Sequence, residues 1–169
     1  APDYACMVWG LLELYQATLE PAFLTRAAEL NATLLDLFYD KAEGAFYMTA
    51  RGDQALPLRP KDTYDGALPS AGAVAVYNLL RISRLTHDEG LEEVARRTLA
   101  GLRPAGEAAS AHCFAALAAL HLEDGGTDVT LAGPDPGSLT PLRAVLDARY
   151  RPFLTVRAST ARQPLPMEW

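Results

Sequence analysis

The sequence predicts a mainly α-helical chain: part of an α/α toroid of alternating inner and outer helices, closed by a small C-terminal βαβ unit. Three observations carry this expectation. Five segments have helical patterning, their apolar surface alternates between all-round and one-sided, and the pattern turns to strand, loop, helix, strand after Asp124-Gly125-Gly126.

The first segment, Tyr4 to Leu19, carries Met7, Val8, Trp9, Leu11, Leu12, Leu14 and Tyr15, with only Glu13 and Gln16 interrupting, so it reads as buried on both sides. The second, Pro21 to Phe38, has proline at a helix start, where its missing N–H costs nothing. Its polar face of Arg26, Glu29, Thr33 and Asp36 places it at the surface. Ala71 to Leu85 is apolar all round until Arg81 and Arg84. Asp88 to Leu102 is one-sided, with Glu89, Glu92, Glu93, Arg96 and Arg97 opposite Leu91, Val94, Ala95 and Leu99. Ala108 to Leu122 returns to the buried type, its Phe114, Leu117, Leu120 and Leu122 set among alanines.

Buried, exposed, buried, exposed, buried is the order of two concentric helix layers, each inner–outer pair an αα-hairpin. A plain bundle would make every helix amphipathic; an irregular helical domain with its buried helices in the middle is the competing architecture. Beyond the turn, Asp128-Val129-Thr130-Leu131-Ala132 reads as a strand, Ser138 to Tyr150 as a crossover helix and Phe153 to Val156 as a second strand. The expected organisation is a partial toroid over 1–124, a βαβ unit over 125–158 and an extended tail over 159–169. The loop Gly133-Pro134-Asp135-Pro136-Gly137 precedes a helix N-terminus that could take an anion, but its prolines remove donors and no P-loop residues follow, so it reads as a tight connection.

A length of 169 residues suits one domain with a small appendage, and a hydrophobic content of 50% supports a substantial core. The net charge of −6 and scattered basic residues argue against nucleic acid and acidic lipid as partners. No apolar run approaches the roughly 20 residues of a membrane helix. With no signal-peptide pattern at its start, the chain reads as cytoplasmic. Cys6 and Cys113 read as free core thiols. The start at Ala1, directly into a buried helix, reads as a piece of a longer protein. Its inward faces would need cover from the remaining segments of the same toroid or from a second copy.

The loop Arg59-Pro60-Lys61-Asp62-Thr63-Tyr64-Asp65-Gly66-Ala67-Leu68-Pro69-Ser70 concentrates the chemistry. Asp62 and Asp65 are the candidate catalytic pair, since two nearby carboxylates can hold different pKa values. Arg59 and Lys61 are their expected partners. Arg59, Lys61, Tyr64, Ser70 and Tyr47 are the candidate substrate-binding residues. The bland alternative is an ion-pair and turn network that pins the loop. Tyr64, Phe46, Tyr47 and Trp9 offer flat faces to a sugar ring or are simply core. No cluster has metal-site spacing, no cofactor is indicated, and no Ser or Cys sits in a nucleophile context.

Several blocks resemble the C-terminal part of the spermatogenesis-associated protein 20-like family: Asp3-Tyr4-Ala5, Gly10-Leu11-Leu12-Glu13-Leu14-Tyr15, Leu37-Phe38-Tyr39-Asp40 with Gly44-Ala45-Phe46-Tyr47, Arg59-Pro60-Lys61-Asp62 with Tyr64-Asp65-Gly66-Ala67 and Pro69-Ser70, and Asn78-Leu79-Leu80-Arg81. The resemblance implies a large protein with an N-terminal thioredoxin-like domain and a C-terminal toroid similar to six-hairpin glycosidases and N-acylglucosamine 2-epimerases. Where that family commonly carries Gly-Asn-Ser or Ala-Asn-Ser after Pro-Ser, this chain has Ala71-Gly72-Ala73, and His87, His112 and His121 lie outside the matching blocks. Two functions follow as expectations. One is a carbohydrate-active domain, an epimerase, isomerase or glycosidase relative holding a small sugar at the 59–70 loop. The other is a non-catalytic scaffold or interaction domain accompanying the thioredoxin-like domain.

Overall fold

In a computed structural model, which describes residues 1–53, 58–102 and 110–161, the chain is mainly α-helical. The elements are α1 (Pro2–Thr18), α2 (Pro21–Phe38), the short hairpin β1 (Tyr39–Asp40) and β2 (Ala45–Phe46), α3 (Ala71–Thr86), α4 (Glu89–Leu102), α5 (Cys113–Asp124), β3 (Thr127–Gly133), α6 (Pro136–Asp147) and β4 (Leu154–Thr160). Residues 108 and 109 of the fifth expected helix, and most of the expected tail, lie outside the described residues. The β1–β2 hairpin is not foreseen from the sequence.

The three apolar helices stand side by side with α3 in the middle, flanked by α1 and α5, while α2 backs α1 and α4 backs α3. Small residues permit this close approach: Ala5 on α1 and Ala71, Ala73 and Ala75 on α3 are all buried. Asn78, wholly buried in α3, donates from Nδ2 to the Ala5 carbonyl at 2.8 Å and pins α3 to α1. Around it Val74, Val76, Leu79, Leu80 and Ile82 lose nearly all contact with water, each burial stabilising by roughly 1.5–3 kcal/mol.

The all-round burial expected of three helices holds for α3 alone. α1 buries Ala5, Val8, Leu12 and Tyr15 but leaves Met7 58% exposed, and α5 buries Ala115, Ala118 and His121 but leaves Leu120 57% exposed. The reason is position: α3 has neighbours on both flanks, whereas α1 and α5 are the edges of the row. Cys6 and Cys113 are free thiols, as expected, but exposed rather than core, because both lie on those open edges.

Helix ends follow their capping residues. Ser70 caps α3, its Oγ accepting from the Ala73 N–H at 3.4 Å, and Asp135 caps α6, accepting from the Ser138 N–H at 3.0 Å. Gly125 ends α5 in the left-handed region with φ 75°.

β3 and β4 pair in parallel, Thr127 opposite Leu154 through Gly133 opposite Thr160, with α6 as the crossover. This is the expected βαβ unit, though β4 continues to Thr160, into the stretch read as tail. Leu131, Leu139 and Val156 form its own small core. Two side-chain contacts dock it on the helices. Gln16 of α1 accepts from the Val156 N–H at 3.0 Å and donates to the Val156 carbonyl at 3.1 Å, so its amide continues the sheet ladder on β4's free side. Arg157 of β4 donates to the Arg84 carbonyl at 3.2 Å and bonds His87, placing a cation at the C-terminus of α3.

Candidate functional site

The 59–70 loop is held by backbone, not by its own ion pairs. Arg59 lies across the Tyr47 ring at 3.9 Å and donates to the carbonyls of Thr49 (2.6 Å from Nη2) and Leu37 (3.0 Å). Lys61 does not reach Asp62 or Asp65. Its Nζ lies 2.6 Å from Asp40, at the end of β1, and 2.5 Å from Glu43, in the turn that follows, and 4.5 Å over the same Tyr47 ring. Tyr47 donates its own hydroxyl to Asp40 at 2.8 Å. The hydrogen bonds from Lys61, then Tyr47 and Ala42, hold the Asp40 carboxyl well below the usual carboxylate range. Burial works against the Lys61 charge, but Asp40 and Glu43 outweigh it and push its pKa above the usual lysine range. The expected pairing of Arg59 and Lys61 with Asp62 and Asp65 is therefore absent: Arg59 takes backbone carbonyls, and Lys61 takes Asp40 and Glu43, brought in by a hairpin that the sequence pattern does not announce.

The two candidate catalytic carboxylates have separate surroundings. Asp62 is exposed and accepts from the Tyr64 N–H at 3.0 Å, a local turn bond. Asp65 is half-buried and spends both oxygens on backbone: Oδ1 accepts from Ser70 N–H at 2.8 Å, and Oδ2 from Phe114 N–H at 2.7 Å. One side chain thus satisfies donors at the starts of α3 and α5 together. Its own N–H donates to the Ala111 carbonyl at 2.8 Å. Of the candidate binding residues, Ser70 is buried as the α3 cap and Tyr64 points its ring outward, 61% exposed. The cavity touching Asp62 measures about 30 Å³, the room of a water molecule.

A second polar cluster lies on the open face of α1, α3 and α5. Glu13 of α1 accepts from Arg81 Nη1 of α3 at 2.6 Å and from Trp9 Nε1 at 2.9 Å. Trp9, Phe114 and Tyr77 meet edge to face, with centroids 5.0–6.4 Å apart. Tyr77 then leans on His121 of α5, whose other side is stacked by Phe153 at 4.7 Å and 9°. Phe153 holds φ 62°, a left-handed backbone that is costly for a bulky residue, and its carbonyl accepts from the Thr127 N–H at 3.1 Å. His121 is 1% exposed, and neither ring nitrogen has a hydrogen-bond partner. Burial, and then the neighbouring Arg84 and Arg81, push its pKa down to about 4, so the ring is neutral at neutral pH. A cavity of about 150 Å³ opens among Glu13, Tyr77, Arg81, His121 and the 150–155 segment.

Of these residues sequence reasoning named only Trp9 as a candidate ligand face, yet a further signal was present: Glu13 and Arg81 are isolated charges in otherwise apolar stretches. A larger hollow of about 590 Å³ lies between α2 and α4, over Leu35, Tyr39 and Val94. Its arginines are engaged elsewhere, Arg51 with the Asp36 carbonyl at 2.5 Å and Arg97 with the Ala42 carbonyl at 2.7 Å.

No family model matches this chain. Curated relatives do. Human spermatogenesis-associated protein 20 is 46% identical over 85 residues, covering 50% of this chain and 11% of that protein, and the mouse protein of the same name is 45% identical over the same extent. An uncharacterised protein of Caenorhabditis elegans is 29% identical over 99 residues, covering 59% of this chain and 13% of its own length. The chain thus spans little more than a tenth of the length of the curated relatives it matches. Over half of its length, then, the chain is similar to a segment of spermatogenesis-associated protein 20 from human, mouse and rat.

Proposed function

We propose that this chain is a structural segment of a helical toroid within a larger protein, a non-catalytic scaffold beside a thioredoxin-like domain, and that its 59–70 loop is a brace rather than a sugar site. The observation that carries this reading is Asp65, whose two oxygens each accept from an N-terminal amide, one of α3 and one of α5, so that the carboxylate ties two helix starts together. Arg59 and Lys61 support it, because their donors go to carbonyls and to the Asp40–Glu43 turn. So do the open edges of α1 and α5, which present Met7, Leu14, Leu117 and Leu120 to further helices of the same toroid. A carbohydrate-active enzyme working at this loop needs a ligand-sized hollow between Asp62 and Asp65, and the space beside Asp62 is about 30 Å³.

The test is a thermal-shift scan of the longest native form of the protein against monosaccharides, disaccharides and sugar phosphates, with Asp62→Asn alongside. Asp62 is exposed, so that variant folds. A ligand at one hundred times its Kd adds about 2.7 kcal/mol, a shift of several degrees. The brace reading expects no sugar-induced shift that depends on Asp62; a shift that Asp62→Asn loses would overturn it.

A further inference from the structure

Polar groups taken out of water nearly always find a partner, so a buried group with none, set on a hollow lined by further free polar groups, points to a missing ligand. The cleft on the open face of α1, α3 and α5 has this character. His121 is buried with both ring nitrogens unbonded. Arg81, its side chain 9% exposed, uses Nη1 for Glu13, while Nε and Nη2 have no partner among the described residues. The Tyr77 hydroxyl likewise has none among them. All three residues line the same cavity of about 150 Å³.

The chemistry of these groups selects the ligand. The free Nε–Nη2 edge of a guanidinium matches the two oxygens of a carboxylate in a fork. A neutral imidazole offers one donor and one acceptor, and a phenol offers both, which suits a hydroxyl carried next to that carboxylate. Charge agrees at the lining, where Arg81 and Arg151 face a single acid, Glu13, while Arg84, one turn further along α3, is offset by Asp128 and Asp124. Glu13 itself, 58% exposed and reaching Arg81 from outside, already shows a carboxylate on this guanidinium. The site is also held in shape. Phe153 is fixed over His121 by its Thr127 bond and left-handed backbone, so the imidazole does not swing to find a partner of its own.

We infer that the cleft formed by Tyr77, Arg81 and His121 binds a small hydroxy-carboxylate, its carboxylate on the free edge of Arg81 and its hydroxyl between Tyr77 and His121. This site is separate from the 59–70 loop and goes beyond the scaffold reading.

The test is isothermal titration calorimetry of the longest native form of the protein with glycolate as the probe, acetate and glucose as comparisons, and the variants Glu13→Gln, Arg81→Met and Asp62→Ala. Glycolate should bind at least tenfold more tightly than glucose and more tightly than acetate. Glu13→Gln removes a negative charge beside the free edge of Arg81 and should tighten glycolate several-fold; Arg81→Met should abolish binding; Asp62→Ala should leave it unchanged. Glycolate binding no tighter than glucose overturns the inference, as does indifference to Glu13→Gln, retention in a folded Arg81→Met, or loss in Asp62→Ala, which would move the site to the loop. If Arg81→Met does not fold, Glu13→Gln decides alone, because Glu13 is largely exposed.

Discussion

Removing the Asp65 carboxylate isolates what the 59–70 loop does. Asp65→Ala deletes two hydrogen bonds to a charged acceptor, from Ser70 N–H at 2.8 Å and Phe114 N–H at 2.7 Å, and leaves the start of α5 without its side-chain acceptor while Ser70 still caps α3. Hydrogen bonds to charged groups are worth about 1.5–3 kcal/mol and a lost helix cap about 0.5–2 kcal/mol. Asp65 is only half-buried and water can re-solvate part of what is lost, so about 2–4 kcal/mol in total is expected. At roughly 2–4 °C per kcal/mol for a domain of this size, Tm should fall by about 5–15 °C. The local readout is sharper. Amide hydrogen exchange at Phe114 and Ser70 should accelerate by about 30- to 1,000-fold, one decade per 1.4 kcal/mol. Asp65→Asn keeps one acceptor oxygen and should cost about half as much. A Tm within about 1 °C of the parent, with Phe114 exchange unchanged, would refute the brace argument and return Asp65 to the list of functional carboxylates.

Three further outcomes are expected. Leu79→Ala, at a wholly buried position at the centre of α3, should cost about 2–5 kcal/mol in urea denaturation. Gly126→Ala should cost roughly 2–4 kcal/mol, because its φ of 62° disfavours a side chain and the added Cβ would sit 2.7 Å from the Phe153 carbonyl; Phe153 should then lose its stacking on His121, visible as a changed His121 ring shift in NMR. His121, with its pKa lowered from 6.5 to about 4, makes the unfolded chain bind the proton more tightly than the folded one. The corresponding stability is present above pH 6.5, declines as pH falls toward 4 and amounts to about 3 kcal/mol. His121→Phe should remove that decline, which denaturation midpoints at pH 7, 5.5 and 4 will register.

The helices were legible because apolar spacing and end signals agree: Pro21 opens α2 and Asp124-Gly125-Gly126 closes α5, both read directly from the residues. Legibility stops where burial depends on neighbours rather than on composition. Leu14 and Leu120 are as apolar as Leu79, yet they face outward because α1 and α5 are the edges of a row, a fact of arrangement that no window of sequence contains. The loop shows a similar limit. Its cations and acids are adjacent in sequence, which suggested mutual pairing, but Lys61 finds Asp40 and Glu43 across 21 and 18 residues because a two-residue-strand hairpin folds them underneath. Conversely, Glu13 and Arg81 pair across 68 residues, and only their oddness among leucines and valines hinted at it.

The grip of Gln16 on β4 sets an order of events during folding. It joins residues 140 apart, and closing a chain loop of that length costs about 4 kcal/mol in entropy by itself. Two hydrogen bonds cannot offset that from an open chain, so the amide closes only after α1, α3 and the βαβ unit have each formed and met. β3, α6 and β4 span a short stretch and can assemble as a local unit, holding one strand edge vacant in the meantime. Gln16 is then a latch thrown last. A chain that cannot throw it keeps its helices and its βαβ unit, but leaves a bare strand free to recruit a foreign one.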